Sequence, residues 1–172
     1  MFTLENKIAL VTGAGSGIGA AIAELFAKAG AHVFVTDVKE GSGRETVERV
    51  TSAGGRAEFA HLDIAEQSQC EAIAQRVLTD AGRLDILVNN AGIGHVGTLA
   101  TTDVADLDRV HAVNVRGTFL ITKAFLPSML ARRSGAIVNL ASIAGILGVR
   151  DRLAYTITKH AVAGLTRAMA SA

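Results

Sequence analysis

Five short runs rich in apolar and β-branched residues, 8–12, 31–37, 56–62, 84–89 and 135–142, alternate with stretches whose apolar residues recur at helical spacing, 17–29, 42–53, 67–81, 103–133 and 152–172. That alternation restricts the fold more than any single motif does. Strands separated by helices pair in parallel, because a parallel connection needs a crossover long enough to hold a helix. Several of the runs are apolar on both faces, as strands covered on both sides must be. The pattern therefore predicts an α/β protein with one doubly wound parallel sheet and helices on both faces. The sequence has 172 residues, 49% hydrophobic and 19% charged, and no low-complexity tract divides it, so residues 1–172 read as one domain. The single proline, Pro127, is expected to interrupt the long helical stretch 103–133.

Charge and composition exclude several function classes. Seventeen basic against sixteen acidic side chains give a net charge of +1 with no run of either sign, which recommends neither nucleic acid nor an anionic membrane as partner. At 4% aromatic residues, the chain also lacks stacking platforms for single strands. Cys70 is the single cysteine, lies in a polar stretch and can form no internal disulfide, which fits a reducing compartment. The start shows no signal pattern and no apolar run approaches the roughly 18 residues of a membrane span, so a cytoplasmic location is expected. His32, His61, His95, His111 and His160 show no metal-ligand spacing, and no metal site is expected. His95 carries a reservation, since it follows a turn at the carboxyl end of a strand. Arg150 and Arg152 could greet an anionic substrate, but the simpler expectation is solvated arginines around a helix cap at Asp151.

The first strand runs into Thr12-Gly13-Ala14-Gly15-Ser16-Gly17-Ile18-Gly19, and a helix opens directly after it. Glycines there let the backbone turn tightly and let a pyrophosphate approach the amides of a helix N-terminus, where the macrodipole favours negative charge. Asp37 closes the second strand, where a carboxylate would hold a ribose 2′-hydroxyl. The same carboxylate would repel a 2′-phosphate, so NAD is expected over NADP, with neither Ser16 nor Val38 offering a compensating cation. The spacing T-G-x-x-x-G-x-G departs from the general G-x-G-x-x-G fingerprint.

Tyr155, the one tyrosine, stands four residues before Lys159, which on a helix puts phenol and ammonium on one face. A phenol of pKa near 10 is a poor base at neutral pH, and a cation close by depresses it by about 1 to 3 units. With Ser142 as a donor to a developing oxyanion, Tyr155 can exchange a proton with an alcohol or a carbonyl.

Residues 12–19, Asp63 after the third strand, Asn89-Asn90-Ala91-Gly92 after the fourth, Asn114, Ser142 and Tyr155-x-x-x-Lys159 together resemble the short-chain dehydrogenase/reductases, over essentially the whole chain. The resemblance implies a Rossmann-like fold and an NAD-dependent oxidoreductase acting on a secondary alcohol or ketone. It places Gly13, Ser16, Gly17, Ile18 and Gly19 on the pyrophosphate, Asp37 on the adenosine ribose, and Asp63 with Ile64 on the adenine. Asn90, Ala91 and Gly92 would line the cofactor. Tyr155 would be the acid/base, Lys159 would lower its pKa and hold the nicotinamide ribose, Ser142 would bind the substrate oxygen, and Asn114 would position a relay water. It further implies a dimer or tetramer at full length, through helices 103–133 and 152–172. The sequence stops at Ala172 inside a helical pattern, about a third short of the family's length, so the C-terminal strands are expected to be missing and the strand at 135–142 to present an open edge. A truncated dinucleotide-binding module without turnover and a purely structural domain remain as alternatives. Alcohol, sterol, sugar and acyl-thioester ketone all fit one catalytic set.

Overall fold

A computed structural model of the protein describes residues 3–171. Its strands are β1 (Ile8–Thr12), β2 (His32–Asp37), β3 (Arg56–His61), β4 (Ile86–Asn89) and β5 (Ala136–Asn139). Its α-helices are α1 (Gly17–Lys28), α2 (Glu40–Ser52), α3 (Gln67–Ala81), α4 (Val104–His111), α5 (Thr118–Arg132) and α6 (Leu153–Met169). All pairings are parallel in the order β3-β2-β1-β4-β5, the doubly wound arrangement expected. β1 and β2 are apolar on both faces because helices cover both. One core joins Val11, Val33 and Val35 to Ala23 and Ala27 of α1 and Val50 of α2; the other joins Leu10, Phe34 and Leu87 to Val77 of α3 and Ile121 and Phe125 of α5. The chain adds strands outward from β1 to β3 and then returns to the other side of β1 with β4. The carboxyl ends of β1 and β4 therefore part at a topological switch point, where such sheets bind ligands.

Two expectations about the elements need correction. Pro127 does not break the helical stretch: it sits inside α5 on an exposed face, four residues after the exposed Lys123, whose freed carbonyl water can satisfy. The interruption lies earlier, at a π-helical segment, Ala112–Gly117, between α4 and α5. There Gly117 runs so close to Ile64 that a Cβ would stand 2.7 Å from its side chain, and the widened turn buries Asn114. β5 is also shorter than expected, ending at Asn139, and Ser142 lies beyond it. Its outer edge carries no strand among the described residues, and Val138 on it is 46% exposed, in keeping with the expected open edge.

The amino ends of the strands are locked together opposite the switch point. Buried Asp85, just before β4, accepts from the Ile8 amide at 2.9 Å and pairs with Arg83 at 3.0 Å and Arg132 of α5 at 3.3 Å. Burial alone would push its carboxyl up, but the Ile8 amide and the two guanidiniums outweigh this and hold it below the usual carboxylate range. No helix among the described residues is long and apolar enough to cross a membrane.

Candidate active site

The switch point is stitched by Thr12, the first residue of the T-G-x-x-x-G-x-G run. Thr12 Oγ1, at the end of β1, donates to the Val88 carbonyl at 3.3 Å and accepts from the amides of Asn90 and Ala91 at 3.1 and 3.0 Å. Asn90 returns the link, its Nδ2 donating to the carbonyls of Thr12 and Gly13 at 2.8 and 3.0 Å. This close approach explains the glycines. Gly13 has φ 63° and a Cβ there would stand 2.8 Å from Ala91 Cα, while one on Gly19 would collide with Asn90 and the Gly13 carbonyl. Gly17, with φ 55°, instead faces open space, so its backbone is free to be approached. Ser16 caps α1 with an extended backbone and its hydroxyl makes no cap bond, which leaves it free for a ligand at that helix N-terminus.

Asp37 ends β2 with both carboxylate oxygens oriented by backbone. Oδ2 accepts from the Gly15 amide and Oδ1 from the Lys39 amide, each at 2.9 Å. A cavity of about 460 Å³ runs past it, lined by Gly13, Ser16, Ile18, Asp37, Asp63, Ile64, Asn90, Ala91 and Gly92, with Val38, Leu62, Ile93 and Val113 added by the fold. Gly17 and Gly19 do not line it; Gly19 packs beneath. Asp63 is fixed by accepting from the Ala65 amide at 2.9 Å.

A second cavity, of about 410 Å³, brings together Ser142, Tyr155 and Lys159. It shares Ile18, Asn90, Gly92 and Ile93 with the first, so the two form one groove across the carboxyl ends of β1 and β4. Tyr155 and Lys159 lie one turn apart on α6, the ammonium 5.6 Å from the phenol ring centre. Lys159 Nζ donates to the Leu140 carbonyl at 2.6 Å, and burial pulls its pKa below the ordinary lysine range. Ser142 caps a short 3₁₀ turn, Ile143–Gly145, its Oγ accepting from the Ala144 amide at 3.2 Å, so its own proton is free to donate.

Asn114 lines neither cavity. It is 1% exposed; its Oδ1 accepts from the Ile93 amide at 2.8 Å, and its Nδ2 donates to the Ile93 carbonyl at 2.9 Å and to Thr158 Oγ1 at 3.0 Å. Thr158 in turn donates to the Tyr155 carbonyl at 2.9 Å. The π-helical residue thus ties the loop after β4 to the helix that carries Tyr155. The partners of Thr12 near Asn90, and the bond from Asn114 to Thr158, left no signal in the sequence.

One other sequence expectation changes. Asp151 does not cap α6: the cap position is Arg152, without a side-chain bond, and Asp151 has φ 55°. The backbone there is held by a bridge, the Gly97 amide donating to the Asp151 carbonyl at 2.9 Å and the Leu153 amide to the Gly97 carbonyl at 3.1 Å. His95 pairs through Nε2 with Asp106 at 3.3 Å, and that carboxyl is held low first by Arg109 and then by His95. Cys70 is buried on α3 with Sγ 3.4 Å from the Ile64 carbonyl, and burial pushes the thiol up to about 11. Among the described residues no group of three His, Cys, Asp or Glu is placed to hold a metal ion.

A family profile for short chain dehydrogenases matches residues 7–172. An uncharacterized oxidoreductase of Thermotoga maritima is 45% identical over 96% of this chain and 65% of its own length. Cyclopentanol dehydrogenase of a Comamonas species is 36% identical over 99% of this chain and 68% of its length. Among solved structures, a metagenomic short-chain oxidoreductase in complex with NADP superposes with TM-score 0.94 at 40% identity, covering 98% of this chain and 76% of that one. A short chain dehydrogenase/reductase from Burkholderia phymatum in complex with NAD gives TM-score 0.93 at 38% identity, over 98% of this chain and 60% of that one. The sequence thus spans about two thirds of the length of the curated relatives it matches. The chain belongs to the short-chain dehydrogenase family.

Proposed function

We propose that this member of the short-chain dehydrogenases binds NAD and transfers a hydride between it and a secondary alcohol or ketone. The observation that carries the reading is the single groove in which Ser142, Tyr155 and Lys159 meet the glycine turn and Asp37. The residues fit a dinucleotide: a close-packed turn that only glycines allow, a free Ser16 hydroxyl at a helix N-terminus, and an oriented carboxylate about where a ribose would lie. In this reading Gly13, Ser16, Gly17 and Ile18 hold the pyrophosphate, with Gly19 packed beneath, and Asp37 holds the adenosine ribose. Asp63 and Ile64 border the adenine, and Asn90, Ala91 and Gly92 line the middle of the groove. Bound there, the nicotinamide supplies the hydride acceptor or donor, and the protein's share is placement and electrostatics.

The chain's own residues handle the proton. In the oxidative direction Tyr155, as phenolate, takes the carbinol proton, and in the reductive direction it returns one to the ketone oxygen. Lys159, anchored on the Leu140 carbonyl, sets its ammonium beside that phenol and holds the nicotinamide ribose. Ser142 Oγ, oriented by the Ala144 amide, donates to the substrate oxygen as charge develops on it. Asn114 fixes α6 through Thr158, and its amide oxygen keeps one lone pair for the relay water that the resemblance implies.

Asp37 favours NAD. On α2, Arg44 is paired with Glu40 at 2.7 Å and stacked on Phe59 at 5.6 Å, which commits it away from a 2′-phosphate. A relative that oxidises cyclopentanol supports a small secondary alcohol as substrate. Phe119, Leu130 and Ile157, exposed on α5 and α6, support self-association. Titration with NADH, followed by a panel of secondary alcohols and ketones, tests the reading; saturable NADH binding and turnover of panel members are expected, and absence of NADH binding overturns it.

A further inference from the structure

We infer that Arg152 is an anion-recognition residue of the substrate site, and that the substrate carries a carboxylate a short apolar spacer away from its carbinol carbon. The inference rests on the dehydrogenase reading, since it concerns the same cavity. Arg152 lines the cavity that holds Ser142, Tyr155 and Lys159, and its guanidinium extends to Gly94 of the same lining, with Nη1 3.9 Å from where a Cβ on that glycine would stand.

The guanidinium has no acidic partner among the described residues, and the reason is visible in its neighbours. The adjacent acid, Asp151, pairs with Arg150 at 3.6 Å, and the guanidinium of Arg152 is left without an ion pair. The backbone of Arg152 is nevertheless fixed, by the bridge to Gly97 and by its amide donating to the Val149 carbonyl at 3.2 Å. A cation on a fixed base, free of acids and turned along a reaction cavity, is built to meet an anion from outside.

The cavity sets the ligand's size. Tyr155 and Arg152 line the same cavity of about 410 Å³, so a substrate whose oxygen meets the phenol and whose anion meets the guanidinium is a small molecule. Ile93, Ile143, Ala144 and Val149 line that cavity as well, which suits a hydrocarbon spacer.

The test compares ketones that differ in charge and little in shape: levulinate against isoamyl methyl ketone, and acetoacetate against isobutyl methyl ketone. Affinities are measured by ligand-observed NMR on the chain saturated with NADH. The carboxylates should bind about tenfold or more tightly than their neutral isosteres, and the preference should shrink as salt rises. In Arg152→Gln the ratio should fall toward one, and Arg152→Lys should restore part of it. Titration with NADH reports that each variant keeps its cradle. Equal affinity for charged and neutral ketones, a ratio that survives Arg152→Gln, or binding of neither ketone overturns the proposal. Absence of NADH binding refutes the cofactor reading instead, and the ratio is then read on the unliganded chain.

Discussion

Asp37→Asn tests the cofactor preference, because it removes one charge and leaves the shape nearly unchanged. Two unit charges about 4 Å apart repel by roughly 4 kcal/mol at an effective dielectric near 20 and by roughly 1 kcal/mol in water. Asp37 is half-buried at the end of β2, so the repulsion of a 2′-phosphate falls between, at about 2–3 kcal/mol, a 30- to 150-fold preference for NADH. The carboxylate also accepts from the Gly15 and Lys39 amides, and an asparagine turned to accept from one presents its own N–H₂ to the other. One charge-assisted bond is lost, worth about 1.5–3 kcal/mol, so NADH affinity should fall by at least tenfold while NADPH gains from the lost repulsion what it loses with the turn. The chain has no tryptophan, so coenzyme fluorescence can be followed without indole interference. Dissociation constants for both coenzymes, in both proteins, give the selectivity ratio. Equal constants in the parent chain, or a ratio unchanged in Asp37→Asn, would refute the reasoning.

Asn114→Ala should lower unfolding free energy by about 2–4 kcal/mol in denaturant melts, because it strands the Ile93 amide and Thr158 in a buried place. Gly13→Ala should cost about 1–3 kcal/mol in stability and weaken NADH binding in titrations, since a left-handed backbone angle and the Ala91 backbone both oppose a Cβ. Asp85→Asn should cost about 2–4 kcal/mol near neutral pH by leaving Arg83 and Arg132 without their carboxylate. Because the folded carboxyl titrates below its ordinary 3.8, its contribution is present above that pH and lost as pH falls through the folded value. Stability curves of parent and variant should therefore converge in acid.

What was legible in the sequence was local. The strand and helix alternation follows from apolar periodicity, and the glycine turn follows from backbone angles and close approaches confined to a few neighbours, as at Gly13 and Gly19. Contacts between distant segments were not legible. Thr12 opens the glycine motif, yet nothing local in the sequence shows that it joins β1 to the loop after β4, some eighty residues away. Asp151 looked like a cap because an acid before a helix usually is one; pairing with Gly97 set the backbone there instead. Pro127 looked like a break, but its missing hydrogen bond falls on an exposed face, while the real irregularity follows the packing of Gly117 against Ile64. Cys70 sits among polar neighbours in sequence and faces the core because it lies on the buried side of α3.

The central claim is that Tyr155 moves the proton while the glycine turn and Asp37 hold the coenzyme. Ketone-dependent oxidation of NADH by the parent chain and by Tyr155→Phe, measured with NADH affinity in the same samples, tests it most directly. The phenol acts on the substrate oxygen, so the variant should lose turnover by about 10²- to 10⁴-fold while its NADH dissociation constant stays within about threefold. A Tyr155→Phe protein that keeps most of its turnover, or one that loses NADH binding and turnover together, would contradict the account.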